Sequence, residues 1–155
     1  MDIVLQALRQ GIQRTRQTLP FKIEGWVLLP DHLHTIWTLP SDDDNYAARW
    51  GIIKRQVSKL HSSQWNNPEQ ISDSRSKRQE SSFWQRRFWE HRIRDDLDFE
   101  CHMDYLHWNP VKHGYVLKVA DWPFSSFHRL VAEGIYPSDW GAAEINETGP
   151  CKFGE

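Results

Sequence analysis

The chain has 155 residues, a formal net charge of −2 and nine tryptophans. This length predicts one domain that buries enough surface to fold without the help of disulfides or structural metal ions. The start of the chain lacks a signal-peptide pattern and no apolar run approaches membrane-spanning length, so a membrane-spanning class is excluded and a cytoplasmic protein is expected. Cys101 and Cys151 show neither metal-ligand spacing nor a disulfide framework, which favours a reducing compartment.

The charge is distributed unevenly. Between Arg9 and Lys22 there are four basic residues and no acid, whereas the tail from Asp121 to Glu155 holds six acids against two basic residues. The middle of the chain has two acids against seven basic side chains: Arg75, Lys77, Arg78, Arg86, Arg87, Arg92 and Arg94. The net charge does not indicate a nucleic-acid binder, but this asymmetry is typical of a polyanion-binding surface.

The first part of the chain predicts a helix, a β-hairpin and a second helix. Apolar residues recur at helical spacing in "DIVLQALRQGIQRTRQ", interrupted only by Gly11. After Pro20, "FKIEGWVLL" and "LHTIWTL" have the composition of strands, and the turn "LPDH" between them favours antiparallel pairing. "NYAARWGIIKRQVSKLHSS" is then an amphipathic helix. Its predicted inward residues are Trp50, Ile53, Val57 and Leu60.

Two histidines lie at the start of the second predicted strand, in "LLPDHLHTIW". Successive side chains of a strand point to opposite faces, so His32 and His34 share one face. Two imidazoles that point the same way can bind one metal ion or one phosphate. Such a pair alone is more often two ordinary surface or hydrogen-bonded histidines, so its meaning depends on what else reaches that face.

A basic and aromatic segment follows the second helix. Residues 62–82 are polar and predict a mobile loop. In "SSFWQRRFWEHRIR", arginines and aromatic residues interleave, which predicts an extended segment that pairs with the sheet. Each aromatic could as well be core and each arginine solvated, but together they resemble a groove that follows a phosphate backbone and stacks bases. The candidate DNA contacts are Trp84, Arg86, Arg87, Trp89 and Arg92, with Lys112 further along the chain.

Residues 95–116 predict a third helix with two functional-looking positions. Asp95 or Asp96 caps its start. Tyr105 and Asn109 are four residues apart and share a helix face, and Pro110 predicts that the helix ends at Asn109. From residue types alone, a core tyrosine and a turn-forming asparagine remain open as alternatives. The predicted buried stripe consists of Phe99, Met103 and Leu106.

Five stretches resemble the REP-associated tyrosine transposases, relatives of the single-tyrosine HUH transposases of bacterial insertion sequences. They are "GWVLLPDHLHTIWTLP", "YAARWGIIK", "FWQRRFWEHRIRD", "YLHWNPVKHGYV" and "ADWPFSSFHRL", and they cover about residues 5–141 in the family's order and spacing. By this resemblance, His32 and His34 match the HUH metal ligands, Asn109 the third ligand and Tyr105 the nucleophile. The tyrosine–asparagine step is far more distinctive than the histidine pair.

The resemblance also implies a fold and a reaction. The fold would be α+β, a ferredoxin-like antiparallel sheet with helices packed on one face, in a single domain with a flexible acidic tail from about residue 142. The reaction would be metal-dependent cleavage and rejoining of single-stranded DNA at palindromic hairpins through a 5′-phosphotyrosine. Mg²⁺ or Mn²⁺ would be the cofactor, although imidazoles in general favour zinc, nickel or copper. Single-stranded or hairpin DNA would be the partner, with a homodimer as a candidate assembly.

One departure from the family and two alternative functions belong to the same expectation. Family members usually begin with a strand ahead of the first helix, whereas this chain opens in that helix, which predicts an exposed sheet edge. The chain could instead be a non-catalytic hairpin-binding relic. A hydrolytic nuclease would use His32 and His34 with water as the nucleophile.

Overall fold

The computed structural model describes residues 1–60, 84 and 89–141. These residues contain helices and a two-stranded antiparallel sheet, which confirms the predicted α+β class. They fall into two compact units, the first made of the described residues within Met1–Phe21 and Leu39–His91 and the second of those within Lys22–Thr38 and Arg92–Glu155. Among the helices of the described ranges, none is long and apolar enough to cross a membrane.

Two helices that pack closely form the described core of the first unit. α1 is Asp2–Thr18 and α2 is Tyr46–Leu60. A Cβ atom added at Gly11 would lie 3.4 Å from the Ile53 carbonyl oxygen and from Val57 Cγ2. These distances are ordinary van der Waals contacts, so the two helices lie close together at Gly11, and Ile53 and Val57 are fully buried at this contact.

A buried arginine links α2 to the loops beside it. The Arg49 side chain is inaccessible to solvent, and its guanidinium donates to the two carboxylate oxygens of Asp43 at 3.0 and 2.6 Å. It also donates to the Pro20 carbonyl at 2.8 Å. The hydrogen bonds from Arg49 lower the pKa of Asp43 to about 2. Since a buried charge that loses its partner is costly, this pair stabilises the unit only as long as both members are present.

The second unit is built on the predicted β-hairpin. β1 (Lys22–Leu28) and β2 (Leu33–Thr38) pair antiparallel, with Val27 opposite His34, so the predicted pairing is confirmed. The unit also contains α3 (Asp96–Lys112) and α4 (Phe127–Ala132), and α3 packs on both strands. Its central apolar cluster consists of the buried Val27, Leu29 and Leu106, with Ile36 and Trp122 against them.

α3 begins as the sequence predicts. Asp95 is the N-cap residue, and its carboxylate accepts a hydrogen bond of 2.8 Å from the Asp98 N–H. This bond satisfies one of the backbone donors that the first turn of a helix leaves unpaired. In the predicted stripe, Met103 and Leu106 are buried and Phe99 is half-buried.

The prediction that α3 ends just before Pro110 is wrong. The helix includes Pro110 and ends at Lys112. Its end is closed by two backbone hydrogen bonds of 2.9 Å, from the Tyr115 N–H to the Pro110 carbonyl and from the Gly114 N–H to the Val111 carbonyl. Gly114 has φ 71°, and this arrangement is the Schellman motif. The stop signal is therefore the glycine, because only the glycine supplies the left-handed backbone that the closure requires.

Three further expectations differ from the structure. Leu60, predicted to face inward, is the last residue of α2 and is 41% exposed. The described residues of the basic and aromatic segment, Trp84 and 89–94, belong to no strand. Cys101 is disulfide-bonded, so the expectation that the cysteines form no disulfide is wrong, because spacing along the chain does not show whether two cysteines meet in the fold. The predicted loop at 62–82 and the tail from residue 142 lie outside the described residues.

A buried polar cluster joins α3 to β1. The fully buried His107 has its Nε2 2.9 Å from Ser126 Oγ. This hydroxyl accepts from the Trp26 N–H at 2.9 Å and donates to the Trp26 carbonyl at 3.1 Å. His107 Nε2 and the Ser126 hydroxyl therefore share one hydrogen bond within this cluster. Burial, reinforced by the positive charge of Arg129, lowers the pKa of His107 to about 4, so the ring is neutral in the folded protein at pH 7.

We expect this histidine to make folding weaker in acid. The pKa of His107 is about 4 in the folded chain against an ordinary value of 6.5, so between these two pH values the unfolded state binds more protons than the folded state. The contribution of the neutral His107 ring to the free energy of unfolding is complete above pH 6.5 and is lost as the pH falls towards 4. This contribution amounts to about 3 kcal/mol at most. The free energy of unfolding, measured by urea titration at several pH values in this range, should therefore rise with pH. His107→Gln should flatten this rise, whereas the exposed control His128→Gln should not, and an unchanged slope in His107→Gln would contradict the assignment.

Candidate active site

The turn of the hairpin brings the two predicted histidines together. The Leu29 N–H donates to the His32 carbonyl at 2.8 Å, which closes the turn, and β2 begins at the next residue. The ring centroids of His32 and His34 are 4.9 Å apart, with the planes at 82°. Only His34 lies within the strand, so turn geometry as well as strand alternation determines how the two rings are placed.

An aspartate orients the His32 ring. Asp31 Oδ1 lies 2.6 Å from His32 Nδ1. The hydrogen bond from His32, with a further contribution from the charge of His113, lowers the pKa of Asp31. The charged carboxylate therefore accepts the Nδ1–H of His32, and the ring presents the lone pair of Nε2. Metal-binding histidines adopt this arrangement, with a carboxylate on the nitrogen that does not bind the ion.

α3 brings the predicted tyrosine and asparagine to the same region of the second unit. The Tyr105 and His34 ring centroids are 6.1 Å apart, with the planes at 84°. One turn further along the helix, the Asn109 amide nitrogen donates to the Tyr105 carbonyl at 3.4 Å. Asn109 is fully buried, and its Oδ1 accepts no hydrogen bond in the described part of the chain. A buried amide oxygen left without a donor costs about 1–3 kcal/mol, so this atom is suited to a cation or another electropositive group.

A lysine contacts the tyrosine hydroxyl directly. Lys112 Nζ donates to Tyr105 Oη at 2.9 Å and lies 4.9 Å from the centroid of the same ring. Tyr105 and Lys112 are seven residues apart on α3, a separation of about two helical turns, so they lie on the same helix face. Lys112 reaches this face because the helix continues for three residues beyond Asn109. From the sequence, Lys112 is predicted only as a DNA contact. Its position favours a second role, since an ammonium stabilises negative charge that develops on the phenol oxygen.

Two residues near the histidine pair were not identified from the sequence. His113, the C-cap residue of α3, has its ring centroid 5.5 Å from that of His32. Asp31 was interpreted only as part of the turn. The carboxylate of Asp31 could have been identified because it directly precedes His32 in "PDH". Nothing in the sequence pattern relates His113 to His32, which lies far before it in the chain.

The side chains of His32, His34 and Asn109 are of types that bind divalent cations. His32 and His34 offer imidazole nitrogens and Asn109 offers an amide oxygen, and three such groups leave positions open for other oxygens. A second pair of ligand-type side chains lies near the start of α3, where Asp98 Oδ1 is 3.1 Å from His102 Nδ1. Asp98 also accepts from the Arg94 backbone N–H at 3.0 Å, so this carboxylate already serves the beginning of the helix.

The predicted DNA contacts differ in their surroundings. Trp89 is 69% exposed, with its ring 5.8 Å from that of His91 and nearly parallel to it, and Arg92 is exposed. Trp84 is half-buried, and its indole N–H donates to Ser58 Oγ at 2.9 Å, so this side chain contacts α2. Arg86 and Arg87 lie outside the described residues.

Known proteins similar to this chain share one family name. No protein-family model matches the chain. A REP-associated tyrosine transposase from Escherichia coli strain K12 is 47% identical over 135 residues, which is 87% of this chain and 72% of that protein. A relative from Haemophilus influenzae carries the same family name and is 47% identical over 137 residues, or 88% of this chain and 76% of the relative.

A solved structure is similar over nearly the whole chain. It is described as the REP-associated tyrosine transposase bound to a REP hairpin, and it matches with a TM-score of 0.72 and 41% identity. The match covers 97% of this chain and 81% of the solved one. Since two relatives are 47% identical over more than two thirds of their own length, this chain belongs to the REP-associated tyrosine transposases.

Proposed function

We propose that this protein cleaves and rejoins single-stranded DNA at palindromic hairpin elements, with Tyr105 as the nucleophile. The observation that carries the proposal is the surroundings of the phenol: a histidine ring 6.1 Å away and an ammonium 2.9 Å from its oxygen. A relative of 41% identity is described as bound to a REP hairpin, which supports the same class of substrate for this chain.

The chemistry requires a nucleophile that conserves the bond energy of the phosphodiester. The Tyr105 phenol gives its proton to solvent, its oxygen bonds to phosphorus, and the bond from phosphorus to the 3′ oxygen breaks. That 3′ oxygen takes a proton and leaves as a hydroxyl, while the 5′ phosphate stays on the tyrosine. Rejoining reverses these changes with a 3′-hydroxyl as the attacking group. Lys112 would stabilise negative charge on the phenol oxygen in both directions.

His32, His34 and Asn109 are proposed to hold a Mg²⁺ or Mn²⁺ ion. Bound there, the ion would polarise the phosphate oxygens and stabilise the charge that they gain during attack. The orphaned Asn109 Oδ1 and the Asp31-oriented His32 ring support this ligand set. Three protein ligands without a thiolate are unlike a structural zinc site, which is closed by four.

We expect Mn²⁺ binding to depend on these residues. His34→Ala and Asn109→Ala should each weaken Mn²⁺ affinity measured by titration calorimetry, because each removes one ligand. Asp31→Asn should weaken it about 10- to 100-fold, since it removes the carboxylate that orients His32. His102→Ala is the matched control at the Asp98 pair. If His102→Ala abolished binding while His34→Ala left it intact, the ion would belong to the other pair.

Tyr105→Phe should abolish the covalent protein–DNA adduct and all strand joining. The substitution removes one oxygen and keeps the ring, so folding and hairpin affinity should stay within about 1 kcal/mol of the wild type. The measurement is a denaturing gel of protein mixed with hairpin oligonucleotide and Mn²⁺.

Tyr115→Phe is the control for this experiment, because Tyr115 also retains its ring and lies beyond the end of α3. An adduct in Tyr105→Phe but not in Tyr115→Phe would show that the nucleophile is misassigned. DNA binding without an adduct in the wild type would favour a non-catalytic hairpin binder, and metal-dependent fragments without an adduct would favour a nuclease that uses water.

DNA affinity should fall as salt rises, because phosphate contacts release counterions. Each arginine that contacts a phosphate of a single strand contributes about 0.7 to the slope of log affinity against log salt. Replacing both Arg86 and Arg87 by alanine should therefore lower that slope by about 1.4 without changing Mn²⁺ affinity. The double variant Arg9→Ala, Lys59→Ala removes the same charge elsewhere and should change the slope less. Equal slopes in the two double variants would contradict the assigned contact segment.

A further inference from the structure

The rings of four side chains follow one another through the candidate active site of the second unit. The Tyr105 and His34 centroids are 6.1 Å apart, and those of His34 and His32 are 4.9 Å apart. His113 comes next, with its centroid 5.5 Å from that of His32. The proposed nucleophile is therefore the neighbour of one histidine of the pair, and His113 is the neighbour of the other. The proposed reaction assigns a role to the first three of these residues but none to His113.

The end of α3 holds His113 in place. Its backbone N–H donates to the Asn109 carbonyl at 3.0 Å. Its ring centroid lies 6.0 Å from that of Tyr115, with the planes at 28°. His113 is nevertheless exposed, and within the described ranges its ring nitrogens make no hydrogen bond. The imidazole is thus positioned next to the histidine pair while its N–H stays accessible to a ligand.

The helix dipole alone does not account for where this ring lies. A cation at the C-terminus of a helix complements the dipole, and Lys112 already supplies such a charge in the last turn of α3. The dipole also does not require a side chain at this position to reach the hairpin, where the His113 ring contacts that of His32. The contact places an imidazole beside the proposed metal ligands, and this placement is the feature that needs a further explanation.

The geometry of the proposed reaction gives the His113 N–H a target. Attack by Tyr105 requires the phosphorus to lie next to the phenol, and therefore beside the histidine pair. In an in-line displacement, the attacking and leaving oxygens lie on opposite sides of the phosphorus. Because the Tyr105 ring lies beside His34, the leaving 3′ oxygen would lie towards His32 and the adjoining His113 ring. That oxygen gains negative charge as its bond to phosphorus breaks, and a positioned hydrogen-bond donor stabilises such charge.

We infer that His113 is a further catalytic residue, whose imidazole N–H donates a hydrogen bond to the leaving 3′ oxygen. This inference rests on the proposed function and deepens it. In cleavage, the electron pair of the broken bond goes to the 3′ oxygen, which the N–H stabilises until that oxygen takes a proton from solvent. In rejoining, the same N–H holds the oxygen of the attacking 3′-hydroxyl, whose proton passes to solvent. The bond from phosphorus to Tyr105 then breaks, and the phenol oxygen takes a proton back from solvent.

This role does not depend on the charge of His113. An imidazole carries at least one N–H whether it is neutral or protonated, so a donor is present in either state.

The test replaces the leaving oxygen by sulfur. A REP hairpin oligonucleotide with single-stranded flanks is first cleaved by the wild type with Mn²⁺, which locates the cleaved bond. The same oligonucleotide is then made with a 3′ sulfur at that bond. Thiols are far stronger acids than alcohols, so a departing 3′ thiolate needs little help from a hydrogen-bond donor. The measurement is the rate of covalent adduct formation with protein in excess, followed on a denaturing gel.

His113→Ala should slow adduct formation about 100-fold with the oxygen substrate, as expected when one donor to a developing oxyanion is removed. With the sulfur substrate, the same variant should react at close to the wild-type rate. His113→Gln keeps an N–H donor and should recover part of the rate with the oxygen substrate. Lys112→Ala should be slow with both substrates, because Lys112 contacts the nucleophile. His128→Ala is the matched control, since it removes another exposed histidine of the second unit and should leave both rates unchanged.

Two results would assign His113 a different role and overturn the inference. Equal slowing of His113→Ala with the oxygen and sulfur substrates would make its role structural. A loss of Mn²⁺ affinity in His113→Ala, measured by titration calorimetry, would make it a metal ligand instead.

The same measurements distinguish this inference from the proposed reaction. If the adduct forms through Tyr105 and His113→Ala reacts with the oxygen substrate at the wild-type rate, the reaction stands and the role of His113 is wrong. If the wild type cleaves no bond and forms no adduct, the proposed reaction is wrong, and the role of His113 in it is wrong as well.

Discussion

The close packing of α3 on the β-hairpin is the constraint on which the candidate site depends. At this interface Gly25 of β1 lies against Met103 of α3: a Cβ at position 25 would be 2.7 Å from Met103 Sδ, so the methionine side chain would have to shift to accommodate it. Met103 lies two residues before Tyr105 on the same helix, so this contact and the contact between the Tyr105 and His34 rings belong to one helix–hairpin interface. The neighbouring bond from His107 to Ser126 holds α3 against β1 with a directed polar contact. The ring contacts from His32 to His34 and from His34 to Tyr105 thus form on an interface that is held by packing elsewhere along it.

How α3 ends matters as much as where it packs. A helix that stopped at Asn109 would leave Lys112 in a loop, with no regular geometry to place its ammonium 2.9 Å from Tyr105 Oη. The Schellman closure at Gly114 instead extends the helix past Pro110 and then turns the chain back, so that the residues immediately after the helix face the histidines. One local backbone feature therefore positions both the Lys112 ammonium next to the Tyr105 hydroxyl and the His113 ring beside His32.

The sequence predicted those parts of the site that depend on local geometry. The antiparallel hairpin followed from strand composition and the "LPDH" turn, and Tyr105 and Asn109 were placed on one helix face by their spacing of four. The end of α3 was missed because the bias of a residue before proline was given more weight than the glycine that closes the helix. His113 was missed because its contact with His32 depends on how the helix lies on the hairpin, which no period within one segment encodes.

The composition of the proposed ligand set resolves an apparent conflict between imidazoles and a hard cation. Two imidazoles alone favour zinc or copper over magnesium. Asn109 adds a neutral oxygen whose burial without a donor already favours an electropositive neighbour. Asp31 increases the electron density on His32 by accepting its Nδ1–H, which strengthens a nitrogen ligand towards any divalent ion. With no thiolate present and several positions open, the anionic oxygens of a phosphodiester would complete the coordination shell, and such oxygens are the ligands that Mg²⁺ and Mn²⁺ prefer. On this argument the substrate itself contributes to metal selectivity, and the three protein ligands need only hold the ion where the phosphate arrives.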